Sequence, residues 1–467
     1  MERYLPDFAY LCALTMQKNY LFHTALLVGL VLSALLLMYF LPLPEVGGHR
    51  WRRVDLLSDV RPLPPVLADT LPAVLPPPRS FLVDTCPPGM TCIEDYADSL
   101  GHGMETFYRA LEETARRPVR IAWFGDSFVE GDILTADLRA RLQERFGGCG
   151  VGYVDVTSPI TYFRRTVYHT FGGWESHSWT DSTGFDRSLQ GLSGHYFKAR
   201  AGAYVELRGR SDYASRLDTC SRASLLFTSR KPLRLSVRLN GKDVRRCAVV
   251  PSDRLQMAVV EGRLGRVRWT VEGADAAATF YGLCLDDVRG IVLDNLSLRG
   301  SSGLSIRTIP EATLRAFGEV RPYDLIILQY GLNVATDYGR DYSRYVEGMH
   351  TVISRLKAAF PTASILLIGV GDRDYRDEDG RVRTMPGIRH LAAWQQRLAA
   401  DSGIAFWNLF EAMGGEGSMA RLAEAVPPMA NRDYAHINFL GGKHLADLLF
   451  EALMHGKEQS DKRRAYE

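Results

Sequence analysis

Apolar and polar positions fall into three patterns along the chain. The first is an unbroken apolar run, Leu21 to Leu41 (LFHTALLVGLVLSALLLMYFL), which carries no Asp, Glu, Lys or Arg. A helix apolar on every face and of this length suits lipid, and it predicts a membrane anchor over about 21–41. Pro42-Leu-Pro44 follows it in place of the small residues of a cleavage site, so the anchor is read as uncleaved. It sits in an N-terminal region, 1–45. Residues 46–80 form a Pro-rich linker, with seven prolines between Ser58 and Ser80, an extended spacer that holds a body off the membrane.

The second pattern alternates helices with buried strands. Leu100, Met104, Phe107 and Leu111 recur at helical spacing, and Val119 to Phe124 is a short apolar run that stops at Gly125-Asp126-Ser127. Leu134, Leu138, Leu142 and Phe146 then stripe a second helix. The same rhythm returns after about residue 290. Strands are expected at Gly290–Leu298, Asp324–Gln329, Ser364–Val370 and Ala405–Leu409, and helices at Ser343–Phe360, Gly387–Ser402 and a final segment striped by Leu445, Leu448, Leu449 and Ala452. Strands that are apolar on both faces and separated by helices imply a parallel sheet covered on two sides.

The third pattern fills about 156–289. Ala203–Leu207, Ala223–Phe227, Leu233–Leu239 and Val267–Val271 are short runs set apart by turn residues, Asn240-Gly241 among them. That predicts an antiparallel β-sandwich module inserted between two parts of the α/β domain, 81–155 and 290–467.

Composition narrows the classes. Of 467 residues 46% are hydrophobic and 24% charged, with a formal net charge of +2. At whole-chain level no nucleic-acid partner is indicated. Cys86 and Cys92 flank the short loop CPPGMTC, a spacing that can close a disulfide in an oxidising compartment. Arg3 and Lys18 precede the apolar run while Arg50, Arg52 and Arg53 follow it, so charge alone leans toward a cytoplasmic body. Cys220, Cys247 and Cys284 are read as small buried residues, with one disulfide among them left open. Cys86, Cys92 and Cys149 lack the His pattern of a zinc site, and the chemistry below needs no metal or organic cofactor.

Gly125-Asp126-Ser127 would by itself be an ordinary helix cap. Its place at the end of a buried strand exposes Ser127 at the edge where α/β sheets bind ligands. Asp433-Tyr-Ala-His436, just before the final helix, supplies an imidazole to take the serine proton and a carboxylate to orient it. Gly331-Leu-Asn333 follows another buried strand, and Gly303 in Arg299-Gly-Ser-Ser-Gly303 follows a third. The Ser127 N–H, the Gly303 N–H and the Asn333 amide are candidate donors to an oxyanion, with Gly300 a rival for the glycine. Trp174 and Trp179, with His169 and His177 beside them, are candidate glycan contacts. Gly371-Asp-Arg-Asp374 is read as a turn on the active edge.

Taken in order, Ser127, Gly303, Asn333 and Asp433/His436 resemble the blocks of the SGNH (GDSL-like) hydrolase superfamily over roughly 95–155 and 290–455. The resemblance implies a three-layer α/β/α fold, Ser127 as nucleophile, His436 as base, Asp433 as its orienter, and an oxyanion hole from Ser127, Gly303 and Asn333. Phe128 stands where the family usually has Leu, and Val334 where Asp is frequent. A narrower resemblance rests on the β module and on Phe406–Ser418. It points to a cell-envelope branch that includes peptidoglycan O-acetylesterases and O-acetyltransferases, with a carbohydrate-binding-like β domain between the first two blocks. This branch implies a catalytic body in the periplasm on a single-pass anchor in the inner membrane. The expected activity is removal of acetyl groups from O-acetylated polysaccharide, peptidoglycan foremost. Acetyl transfer to glycan, with a membrane O-acyltransferase partner, is the alternative. A non-catalytic glycan-binding protein is the second.

Overall fold

The computed structural model describes residues 20–40, 86–97, 103–181, 183–273, 278–337, 339–377 and 379–466. Residues 1–72 and 73–467 form two separate units. In the first, Tyr20–Phe40 is a 21-residue helix without a charged side chain. Its described side chains, 22–34, are all exposed, Phe22, Leu27 and Leu30 by more than 60%. Among the described residues no helix is long and apolar enough to cross a membrane. The Pro-rich linker expected over 46–80 and Cys12 lie outside the described residues.

In the second unit the strands run β1 (Glu94–Asp95), β2 (Pro118–Gly125), β3 (Gly152–Asp155), β4 (Val167–Ser178), β5 (His195–Gly209) and β6 (Cys220–Ser229). β7 (Leu233–Leu239), β8 (Asp243–Val249), β9 (Ser252–Leu264), β10 (Arg266–Val271) and β11 (Ala278–Asp286) follow. The chain then forms β12 (Gly290–Ser297), β13 (Leu325–Gln329), β14 (Ser364–Ile368), the hairpin β15 (Asp374–Arg376) and β16 (Val382–Thr384), and β17 (Ala405–Trp407).

β1, β17, β14, β13, β2 and β12 make one six-stranded sheet in that order, parallel except for β1 at the edge. β13 and β14 are buried at every position, as strands covered on both faces must be. Helices Met104–Leu111, Thr135–Phe146 and Phe439–Tyr466 pack together as one layer, and Glu311–Val320, Ser343–Ala359 and Pro386–Ser402 as the other. This is the expected three-layer α/β arrangement. The parallel register puts the ends of β2, β12, β13 and β14 at one edge, where Ser127 and Asn333 follow their strands.

β3 to β11 form a nine-stranded antiparallel sheet. β5 meets β11 through a single pair, Phe197 with Phe280, so β4, β5, β10, β7 and β8 form one group of strands and β3, β11, β6 and β9 another, and side chains of both groups share one core. The sheet also starts earlier than expected, since Gly152–Asp155 pairs with β11. One of its faces encloses a core built around Val205, Leu207, Leu235, Val237, Trp269 and Phe280. From the other face Leu226, Tyr281 and Cys284 join the α/β core, where Tyr281 meets Phe317 edge-on.

The joint between the sheets is ionic. Arg321, 2% exposed at its side chain, reaches Asp286 at the end of β11 and Asp294 in β12, each at 2.6 Å. The Tyr323 hydroxyl donates to the same Asp294. Cys86 and Cys92 form a disulfide, while Cys149, Cys220, Cys247 and Cys284 are free thiols.

Candidate active site

β2 ends at Gly125, where a Cβ would lie 2.3 Å from a Val129 methyl, so the chain can turn this tightly only with glycine. Beyond the turn Ser127 is half-buried, with its neighbours Asp126 and Phe128 buried. The loop after it is pinned by Asp132, a fully buried carboxylate that accepts from Arg139, Thr135, Arg164 and Asn295. Burial opposes ionisation of Asp132, but the two guanidinium groups outweigh it and hold its pKa far below the usual range. Thr166, immediately before β4, donates to the same carboxylate. The nucleophile loop is therefore tied to the antiparallel sheet.

From the far end of the sequence, residues 430–437 fold back as a small loop closed by the Ala430–Ile437 bridge. Asn431 N–H donates to the His436 carbonyl at 2.8 Å, and Tyr434 takes a positive φ of 54° at the tip. Asp374 N–H donates to the Tyr434 carbonyl at 2.9 Å, so the Gly371–Asp374 run anchors this loop. Asn438 then caps the last helix, accepting from the N–H groups of Leu440 and Gly441.

These two loops bring the predicted triad together. His436 Nε2 lies 3.2 Å from Ser127 Oγ, and His436 Nδ1 lies 2.9 Å from Asp433 Oδ2. The Asp433 carboxylate fixes the proton on Nδ1, which leaves Nε2 as the free base facing the hydroxyl. Asp433 Oδ1 accepts from the N–H groups of Ala435 and His436. Partial burial raises the Asp433 pKa, but those two hydrogen bonds and the imidazole pull it below the usual carboxylate value. His436 and Asp433 stay open to solvent, at 43% and 48% side-chain exposure. That suits a bulky substrate better than an enclosed pocket would.

The predicted oxyanion donors sit at the same strand ends, engaged with the protein itself. Asn333 Nδ2 donates to Asp126 Oδ2 at 3.3 Å and to the Ser301 carbonyl at 3.1 Å. Gly303 N–H donates to Ser301 Oγ at 3.0 Å. Gly303 has a φ of 87°, and a Cβ there would lie 2.7 Å from the Tyr330 ring; at Gly300, φ 73°, the space is open. Gln395 stitches this edge, donating to the Tyr330 carbonyl and accepting from Val370 N–H, both at 2.7 Å.

Sequence reasoning missed Asp126. Burial pushes its carboxyl up to about 6, moderated by the Phe128 N–H, His436 and Asn333. Its place beside the nucleophile was visible; its link to Asn333 spans 207 positions and was not. Of the candidate glycan contacts, Trp174 is half-buried, donates to the Tyr204 carbonyl at 2.7 Å and packs edge-on against Phe280. Trp179 N–H donates to the Gly194 carbonyl. His169 is buried with Nε2 3.0 Å from the Val156 carbonyl, and His177 stacks on Tyr196.

Residues 267–437 match the GDSL-like Lipase/Acylhydrolase family, a segment that holds Gly303, Asn333, Asp433 and His436 while Ser127 lies before it. A solved peptidoglycan O-acetylesterase superposes with a TM-score of 0.65 at 20% identity, covering 78% of this chain and 99% of its own. A family two carbohydrate esterase from Clostridium thermocellum, in complex with cellohexaose, aligns over 61% of this chain and 98% of its own, with 10% identity and a TM-score of 0.26. No curated protein sequence matches the chain.

Proposed function

We propose that this chain is an ester-bond hydrolase of the GDSL-like class, which its family match and its fold support, and that it removes O-linked acetyl groups from a cell-envelope polysaccharide, peptidoglycan foremost. The observation that carries the reading is the unbroken hydrogen-bonded chain Ser127–His436–Asp433 at a strand-end edge. In the first step His436 Nε2 takes the Ser127 proton as Oγ attacks the acetyl carbonyl. The imidazolium so formed is stabilised by Asp433, and the oxyanion takes N–H donors from Ser127, Gly303 and Asn333. Collapse expels the sugar alkoxide, which takes the proton from His436 and leaves acetyl-Ser127. Water, deprotonated by His436, then attacks the acetyl group, releases acetate and returns the proton to Ser127. In the alternative reading a second sugar hydroxyl takes the place of that water, and the same site transfers acetyl supplied with a membrane O-acyltransferase.

A periplasmic body on a membrane anchor accompanies this proposal. The Cys86–Cys92 disulfide supports an oxidising compartment, and the exposed, largely apolar side chains from Phe22 to Ala34 support burial of that helix in lipid.

A fluorophosphonate should label the wild type and not Ser127→Ala, and wild type should release acetate from O-acetylated peptidoglycan. An unlabelled wild type that releases no acetate overturns the esterase reading. Acetate that appears on a sugar acceptor rather than in solution selects the transferase.

A further inference from the structure

The outer face of the antiparallel sheet is built from arginine. Its strands are adjacent in the order β4, β5, β10, β7, β8, and their buried residues point to the enclosed core, so the alternate positions share the opposite face. Those positions are Tyr168 on β4; Tyr204, Glu206 and Arg208 on β5; Arg266 and Arg268 on β10; Arg234 and Arg238 on β7; and Arg246 on β8. Register makes them neighbours: Tyr168 lies opposite Arg208, Arg208 opposite Arg266, and Arg268 opposite both Glu206 and Arg238. Like charges placed directly across a sheet repel, so a face of this kind is disfavoured unless an anion answers it. Among the described residues two carboxylates do so in part, Glu206 to Arg266 at 2.7 Å and Glu272 to Arg246 at 3.2 Å.

Tyrosines are interleaved with the guanidinium groups. Arg208 and Arg210 both lie over the Tyr168 ring at 4.4 Å, and Arg268 lies over Tyr204 at 3.7 Å. Stacking holds these planar forks flat; Arg210 is already paired with Asp212, so the forks of Arg208 and Arg268 are the ones placed to meet carboxylates in pairs. An open cavity of about 600 Å³ lies at this end of the face, where Tyr168, Arg208, Arg210 and Arg266 line it together with Asp212 and Asp218.

This face is continuous with the triad. Arg210 N–H donates to the Thr166 carbonyl at 3.0 Å, and Thr166 is bound to Asp132 in the nucleophile loop. On the same path Arg165 lies 4.1 Å over the ring of Phe439, three residues after His436, and Tyr213 meets that ring edge-on. Tyr162, 87% exposed, stands beside Phe163, which packs on Phe439.

We propose that the arginine face binds a carboxylate-bearing glycan strand, the polymer whose acetyl ester is delivered to Ser127; this rests on the esterase reading above. The occupant follows from charge and continuity. Six guanidinium groups on one face of a chain of net charge +2 concentrate positive potential where the whole sequence shows almost none. The contacts through Arg210, Thr166 and Arg165 lead from this face toward the Ser127–His436–Asp433 triad.

Binding is measured on full-length Ser127→Ala protein in detergent, so turnover is not needed. The probes are soluble O-acetylated peptidoglycan glycan strands, the same strands with their carboxyl groups amidated, phosphatidylglycerol vesicles, and a DNA duplex. The expected result is strand binding at roughly 50 mM salt that weakens about tenfold on amidation, about tenfold in Arg208→Gln/Arg238→Gln/Arg268→Gln, and is lost near 500 mM salt. Equal affinity for amidated and native strands overturns the proposal, as does unchanged binding by the triple variant or a preference for vesicles or DNA. If the triple variant fails to fold by circular dichroism, amidation and salt decide the matter on the unmutated face. Strand binding with no acetate release from wild type would overturn the esterase reading and leave the arginine face standing.

Discussion

Asn333 donates through its side-chain amide to Asp126, the residue immediately before the nucleophile, at 3.3 Å. This is longer than a usual N–H···O bond, and the second amide hydrogen goes to the Ser301 carbonyl at 3.1 Å. An oxyanion formed beside Ser127 therefore competes first with the Asp126 contact. Asn333→Ala is expected to lower kcat on p-nitrophenyl acetate by about 10² with little change in KM. Asp126→Ala should cost less, and the double variant no more than Asn333→Ala alone. Additive losses in that cycle would show that Asp126 does not act through Asn333.

Asp126 also makes stability depend on pH in a defined direction. Its folded pKa, raised by burial to about 6, lies above the unfolded value near 3.8. The folded state thus holds the proton more tightly, so this stabilising contribution is full below about 4 and is lost as pH rises through about 6. A shift of this size corresponds to roughly 3 kcal/mol. The Tm of Asp126→Asn, which has no charge to bury, should gain on that of wild type between pH 4 and 8. A difference that does not change with pH would rule this out.

Asp433 runs the other way. Partial burial raises its pKa, its hydrogen bonds and the imidazole outweigh that, and the net shift is downward. Its contribution is present above the unfolded carboxylate pKa and is lost only as pH falls through the lower folded value. Protonation of Asp433 therefore does not set the acid limb of activity above about pH 4. In Asp433→Asn the amide oxygen can keep the Ala435 and His436 N–H bonds, which turns its NH₂ toward Nδ1. The imidazole then carries its proton on Nε2, pointing at Ser127, and kcat should fall by about 10² to 10⁴. A kcat within threefold of wild type, roughly RT in barrier height, would mean that Asp433 does not set the tautomer.

Gly303 and Gly300 can be separated by the same substitution. Both have positive φ, so alanine strains either backbone by about 1 kcal/mol. At Gly303 the new methyl also meets the Tyr330 ring at 2.7 Å, while at Gly300 it meets open space. Gly303→Ala should lower both Tm and kcat, and Gly300→Ala should lower Tm slightly with activity kept. The reverse pattern would assign the donor to Gly300.

Much of this was legible because each part depends on local chain. Val119 to Phe124 could only be a buried strand, and Ser127 could then only stand at its end. Asp433 and His436 are three residues apart, so one turn of chain joins them. The pairings that bring distant segments together were not legible. Asp132 collects Arg139 from the next helix, Thr166 from just before β4 and Asn295 from β12, partners that no spacing connects. The arginines show the same limit. Their alternation within β7 and β10 is plain in sequence, yet their assembly on one face depends on strand order.

The cluster of Arg321 with Asp286 and Asp294 has a mechanical consequence. A fully buried ion cluster has no water to take over its bonds, so hinge motion at the β11–β12 junction would strand charge in the interior, at a cost of about 3–5 kcal/mol for a broken pair. The two sheets turn as one body. The offset between Ser127 and the outer sheet face is thereby a fixed length, a ruler for any strand that binds there as proposed.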